Sequence, residues 1–353
     1  MPTDKYASDI VNKLNDERPE TACLIGKGGA ESIVSDWIST GSFPLDIKIS
    51  NKIDGGIPVG RLTEISGNES AGKTLLCYNI VKETQKKGGL AVLIDTEHTA
   101  SIETMKQAGI DVDNLVYVQP ICIEDVFRTI KDIFDYVVSE KKNTDKLVTI
   151  IWDSIASTPS RAELEGDPEQ KFYAAQALVI SQGMRMIVPF IGKYKVCLVF
   201  VNQLRQKMGV TYGDNQVTPG GKSVPFYASV RIRLTKYGNI KGKGTASEPV
   251  GQTVKAKVTK NKTAPPYRTA EFNIMWDKGT GAYVDDPAGW LELAKSIGIV
   301  TVSGGWNSLH LNGKDKPMKF QGINAWSELL ANTEIHEYVR GEIDRKLIIR
   351  GDE

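Results

Sequence analysis

Residues 67–74, GNESAGKT, match the spacing G-x-x-x-x-G-K-[ST]. Glycines in such a loop let backbone N–H groups turn inward on a phosphate chain at a helix N-terminus, where the helix dipole also favours negative charge. On that chemistry Gly67, Asn68, Glu69, Ser70, Ala71 and Gly72 form a cradle for ATP. Lys73 would reach its β- and γ-phosphates, and the Thr74 hydroxyl would ligate Mg2+. The later PGGKS (219–223) is only an echo, because Gln216 stands where a second copy of the motif needs glycine.

Hydrolysis of a nucleotide needs two more groups, a carboxylate near the metal and a base for the attacking water. Asp153 closes the apolar run VTIIW and is the candidate partner of Thr74 at the metal. Glu97 closes LAVLIDTE, and Gln203 closes VCLVFVNQ, within reach of a γ-phosphate. Each of the three has a plainer role open to it, as the cap of the turn that follows.

These side chains meet only if their segments become neighbouring strands with their carboxyl ends on one side, where open α/β sheets bind ligands. The pattern supports that. RLTEIS (61–66) predicts a strand, and TLLCYNIVKETQKK (74–87) a helix stopped by Gly88-Gly89. LAVLIDTE (90–97), KLVTIIWD (146–153) and VCLVFVNQ (196–203) predict core strands, and from about residue 38 to 280 strands alternate with helices. The fold class is therefore α/β, a central mostly parallel sheet flanked by helices. An amphipathic helix is expected over 4–15, followed by the turn GKGG (26–29). Beyond about 283 the pattern changes to a helix at 289–297, a polar hairpin around 301–320 and a helix at 324–346, a small α+β lobe. The expected division is an N-terminal arm (1–37), an ATPase core (38–282) and the lobe (283–353).

Composition is that of a soluble globular protein, 41% hydrophobic and 25% charged. No apolar run approaches 18 residues and MPTDKYASDI lacks the apolar core of a secretion signal, so a cytoplasmic protein with no membrane partner is expected. Four cysteines without CxxC spacing and three scattered histidines argue against a metal cluster; Cys77 and Cys197 sit in apolar segments as small buried thiols. Net charge is only +1, yet residues 193–268 carry fifteen Lys and Arg against Asp214 and Glu248. Such a belt implies a polyanionic partner or, more plainly, a sheet edge guarded by lysines. Within it, VCLVFV (196–201) gives way to Asn202 and Gln203, then Arg205 and Lys207, then the Gly-rich TYGDNQVTPGG.

Several stretches together resemble the RecA family of homologous recombinases, including its phage-encoded UvsX-like branch. They are ISTGSFPLDIKI, GRLTEISGNESAGKT, DTEH, AGIDVDNL, NQLRQKMGVTYGDNQVTPGG, PFYASVRIRL and VTKNKTAPPYRTAEF, and GWNSLHLNGKDKPMKFQGINAWSELL is similar to the family's C-terminal lobe. The resemblance implies a DNA-dependent ATPase that forms a helical filament on single-stranded DNA and exchanges it with homologous duplex. It implies that Glu97 is the catalytic base and Gln203 the γ-phosphate sensor. It also implies two DNA-binding loops, at about 165–173 and 203–221. Arg185, Arg205, Lys207, Met208, Gly209, Gly220, Gly221 and Lys222 are the candidate DNA contacts. Lys260 and Lys262 would reach a neighbouring subunit's ATP, and Phe226 would pack at the same interface. Ser101 and Thr104 stand where close bacterial relatives have an aspartate and a tyrosine near the adenine, and Leu178 where relatives often have a DNA-contacting arginine. The alternative from the same core is a hexameric DNA helicase, which would close a ring instead of a filament.

Overall fold

The computed structural model describes residues 5–18, 22–24, 34–139, 146–167, 173–206, 216–242, 248–277, 279, 281–313 and 316–349. The turn at 26–29, most of the first candidate DNA loop, and Lys207, Met208 and Gly209 lie outside them.

The chain opens with helix α1 (Lys5–Glu17), none of whose residues is buried. Strand β1 (Trp37–Ile38) pairs antiparallel with β2 (Ile57–Pro58) around the short helix α2 (Phe43–Ser50). Then β3 (Leu62–Gly67), α3 (Lys73–Lys86), β4 (Leu90–Asp95), α4 (Ile102–Gln107), β5 (Leu115–Val118) and α5 (Ile123–Ser139) alternate. Next come β6 (Val148–Asp153), α6 (Arg161–Glu165), α7 (Tyr173–Lys193) and β7 (Val196–Gln203). A two-stranded ribbon follows, β8 (Arg205–Gln206) against β9 (Gln216–Val217), and then α8 (Ser223–Tyr227). Strands β10 (Val230–Lys241), β11 (Pro249–Asn261), β12 (Thr269–Asp277) and β13 (Gly281–Asp285) complete the core, and α9 (Asp286–Ser296) leads out of it.

Nine of these strands make one sheet in the order β13-β12-β11-β10-β3-β7-β6-β4-β5. The six strands from β10 to β5 run parallel, and β11 to β13 return as an antiparallel meander. The fold class expected from the sequence is the one observed. Strands β3 and β6 are buried along their whole length, as a sheet covered on both faces requires. One face is covered by α3 through Leu76, Cys77, Ile80 and Val81. The other is covered by α5, through Val126, Phe127, Ile130 and Phe134, and by α7, through Ile180, Met184, Ile187 and Ile191, each set at helical spacing. Trp152 meets Phe127 and Phe200 edge-on there, with ring centroids 5.7 and 5.0 Å apart. Cys77 and Cys197 are buried and free, as expected. Helix α7 equals a membrane span in length and apolarity over Ala174–Lys193, at mean hydropathy 1.3, but it turns those four side chains into the core.

Several expected boundaries move: the helix expected at 289–297 runs Asp286–Ser296, the hairpin expected around 301–320 is three strands, and two further shifts have a visible side-chain cause. The strand predicted to run to Glu97 stops at Asp95, because the Asp95 carboxylate accepts the backbone N–H groups of Glu97 and His98, both at 2.9 Å, and of Ala100 at 3.1 Å, which bends the chain. The helix predicted at 324–346 is two, α10 (Gly322–Leu330) and α11 (Thr333–Leu347). They are separated because Asn332 caps the second through the Ile335 N–H. With α9 and the sheet β14 (Val300–Ser303), β15 (Trp306–Leu309) and β16 (Met318–Phe320), they enclose a third apolar cluster around Trp326 and Val339. Phe43 of α2 joins it by stacking on Trp290 at 3.7 Å.

Candidate functional site

Strand β3 delivers residues 67–74 to the carboxyl edge of the sheet, where they form a loop leading into α3. Backbone geometry explains its composition. Gly72, which caps α3, has φ +88°, and a Cβ there would lie 2.3 Å from Ile274 Cδ1. Ser70 also takes a positive φ, +56°, and its carbonyl accepts a 2.7 Å hydrogen bond from Gln252 Nε2 on β11. Asn68, Glu69 and Ser70 stay exposed at the loop's crest. Lys73 folds across it, its ammonium donating to Gly67 O at 3.1 Å and Asn68 O at 2.8 Å. Burial lowers the Lys73 pKa, opposed by the charges of Asp153 and Glu97.

The three strand-end residues singled out by sequence converge here. Thr74 Oγ1 donates to Asp153 Oδ2 at 3.0 Å. Burial, with help from the Glu97 charge, pushes Asp153 up to about 6, and the Thr74 hydrogen bond resists that rise. Thr74 and Asp153 are two hard oxygen donors side by side. That set suits Mg2+, which takes one or two protein oxygens and fills its octahedron with water and phosphate. Glu97 stands in the turn that Asp95 builds, and Tyr117 O–H donates to Asp95 at 2.7 Å to complete it. Glu97 Oε1 accepts hydrogen bonds from Ser154 Oγ at 2.5 Å and from Gln203 Nε2 at 3.4 Å. The candidate base and the candidate sensor, 106 residues apart in sequence, are in direct contact.

From Gln203 the chain runs into the β8–β9 ribbon, which places Arg205 opposite Val217 at the base of the candidate second DNA loop. Its return limb is fastened from below. Asn202 Nδ2 donates to Pro219 O and to Glu64 Oε1, both at 3.1 Å. Arg231 pairs with Glu64 and reaches Thr218 Oγ1 at 3.4 Å. Gly220 and Gly221 have φ +91° and +74° and lie against α7, where a Cβ at Gly220 would meet Ile180 Cδ1 at 2.9 Å. Gly220 is buried, while Gly221, Lys222, Arg205 and, on α7, Arg185 are exposed. Arg185 donates to Ser181 Oγ at 3.1 Å.

The three residues assigned to a subunit interface lie together on another part of the surface. Phe226 on α8 is 70% exposed. Lys260 caps the same helix, donating to Pro225 O at 2.7 Å and Phe226 O at 2.8 Å. Burial lowers its pKa, and the neighbouring Lys262 and Arg231 charges add to that. Lys262 is exposed, and its backbone N–H donates to Ser229 O at 2.9 Å.

Sequence reasoning missed Asp95, Ser154, Gln252 and the Glu64–Arg231 pair. Asp95 carried a signal, an aspartate two residues before the needed turn. The others are set by pairing between strands and had none.

A family model described as the RecA N-terminal domain matches residues 14–281. Curated relatives called Protein RecA include that of Synechocystis sp., 37% identical over 350 residues, which covers 96% of this chain and 92% of the relative. That of Synechococcus elongatus is 39% identical over 310 residues, covering 87% and 81%, and that of Rhodopirellula baltica is 37% identical over 328 residues, covering 92% and 80%. The relatives do not favour the ring-helicase alternative. With the phosphate loop, the strand-end acids and the glutamine of β7 gathered at one sheet edge, this chain belongs to the RecA family of recombinases.

Proposed function

We propose that this chain hydrolyses ATP with Mg2+ while it forms a helical filament on single-stranded DNA, and that the filament pairs this strand with homologous duplex in recombination and repair. Lys73 would exchange its loop carbonyls for phosphate oxygens. Mg2+, held by Thr74 and Asp153, would neutralise charge on the phosphates. Glu97 would orient the attacking water and take its proton. The contact of Gln203 with Glu97 carries this reading, because it joins the base to the strand that opens the DNA loop. A γ-phosphate that draws Gln203 away from Glu97 would reset that loop, the order–disorder switching general to nucleotide sensors.

Arg185, Arg205, Lys207 and Lys222 would hold the DNA backbone without reading sequence, Met208 would wedge between bases, and Gly209, Gly220 and Gly221 would let the chain approach. Specificity then comes from base pairing. Phe226, Lys260 and Lys262 would meet the ATP site of the next subunit, a heterologous contact that generates an open helix. Residues 1–37 would serve as the oligomerisation arm, 38–282 as the ATPase core and 283–353 as the C-terminal lobe of a cytoplasmic protein. The test is steady-state ATP hydrolysis with and without poly(dT) across a salt series. Strong stimulation that fades as salt rises is expected, and turnover indifferent to DNA at every salt concentration would overturn the reading.

A further inference from the structure

Behind Glu97 stands a column of hydroxyls that the proposed function does not use. Ser154 Oγ, which donates to Glu97, lies 3.2 Å from Ser157 Oγ. Ser157 Oγ lies 3.1 Å from Thr96 Oγ1, and Thr158 Oγ1 donates to Thr96 Oγ1 at 2.8 Å. The Ser154 carbonyl is the common acceptor, with the hydroxyls of Thr96 and Ser157 at 3.0 Å and that of Thr158, whose single proton it shares with Thr96 Oγ1, at 2.7 Å. Two N–H groups lock the column from its sides: Ser154 N–H donates to Thr96 Oγ1 and Trp152 Nε1 to Thr158 Oγ1, both at 3.1 Å. At the far end Gln176 Nε2, on the first turn of α7, donates to Thr158 O at 3.2 Å.

We propose that Ser154, Thr96, Ser157 and Thr158 form a positioning chain that fixes the Glu97 carboxylate and ties it, through Gln176, to helix α7. The proposal rests on Glu97 being the base and extends that reading to how the base is held. Ser154, Thr96 and Thr158 are buried, so the hydrogen bonds among these three face little competition from water, while Ser157 forms the exposed edge of the column. The column is a brace and not a proton wire, because it ends on an amide and a carbonyl, neither of which takes up a proton. Helix α7 carries Arg185 and packs against Gly220 and Gly221, so DNA held there would press on Glu97 by this route as well as through Gln203. Ser154, Thr96, Ser157, Thr158 and Gln176 are positioning residues, since each acts through another side chain.

The test measures ATP turnover with and without poly(dT), together with binding of a fluorescent ATP analogue, on the full chain. Ser154→Ala should lower kcat about tenfold with analogue binding and KM within twofold of wild type, and Ser154→Thr should restore most of the loss. Gln176→Leu, on α7 outside residues 67–74 and partly exposed, should cut the ratio of DNA-stimulated to basal turnover by about threefold or more. Wild-type kcat in Ser154→Ala, analogue binding that falls in step with kcat, or an unchanged stimulation ratio in Gln176→Leu would each overturn the proposal. Glu97→Gln separates this from the reading beneath it. That variant should bind the analogue and not turn over; if it hydrolyses ATP at the wild-type rate, the assignment of the base has failed and not merely its brace.

Discussion

Replacing Arg231 by methionine should expose how the base of the second loop is secured. Glu64 sits in the middle of β3 with a side chain fully shielded from solvent, whereas its partner Arg231 on β10 is 23% exposed. The two are register neighbours in the parallel β3–β10 pair. Removing Arg231 leaves Glu64 with Asn202 as its side-chain donor, at 3.1 Å. Breaking a buried ion pair costs about 3–5 kcal/mol, and water can reach the vacated arginine site, so the lower end, about 3 kcal/mol, is expected. In a chain of 353 residues that is a fall in melting temperature of about 4 °C. The double variant Glu64→Leu/Arg231→Met should recover to within about 1 kcal/mol of wild type, because an apolar pair of similar volume carries no desolvation penalty. Calorimetry on both singles and the double measures the coupling. A loss below about 1 kcal/mol in Arg231→Met, or strictly additive losses in the double, would refute the argument that Glu64 depends on this partner. The Thr218 contact goes as well, so single-stranded DNA binding by Arg231→Met should weaken more than its stability loss explains.

Three further outcomes are expected. Burial pushes Asp46 up to about 7 and Asp286 up to about 6, against an unfolded value of 3.8. The folded state therefore holds these protons more tightly, so their contribution to stability is complete below about pH 4 and is lost as pH rises through 6 to 7. The melting temperature should decline from pH 5 to 8, and more shallowly in Asp46→Asn; equal slopes would refute this. Gly220→Ala should cost about 1–2 kcal/mol in chemical denaturation, from the left-handed backbone and the approach to Ile180, and should lower DNA affinity. Phe226→Ala should leave the monomer's stability within about 0.5 kcal/mol, because the ring is exposed, and should abolish self-association in sedimentation velocity.

The α/β class, the phosphate loop and the convergence of Thr74, Asp153, Glu97 and Gln203 were legible in the sequence. Local rules suffice for them: an apolar run with a polar end is a buried strand, and parallel strands deliver their ends to one edge. The point at which β4 stops was only hinted at by the aspartate itself: the apolar pattern runs on towards Glu97, and it is the Asp95 side chain, by capturing three N–H groups, that overrides it. Nor was the split between α10 and α11, since it turns on one Asn cap inside a continuous helical periodicity.

The sequence by itself determined the chemistry offered at the site, because motif spacing and strand-end residues are properties of the chain. Only the tertiary structure decided who holds these groups. Gln203 on Glu97, Ser154 beneath it, Glu64 between Asn202 and Arg231, and Gln252 on the phosphate loop all join strands that lie far apart in sequence. Strand order and register set those contacts, and they follow from how the whole sheet packs, which no local stretch of residues encodes.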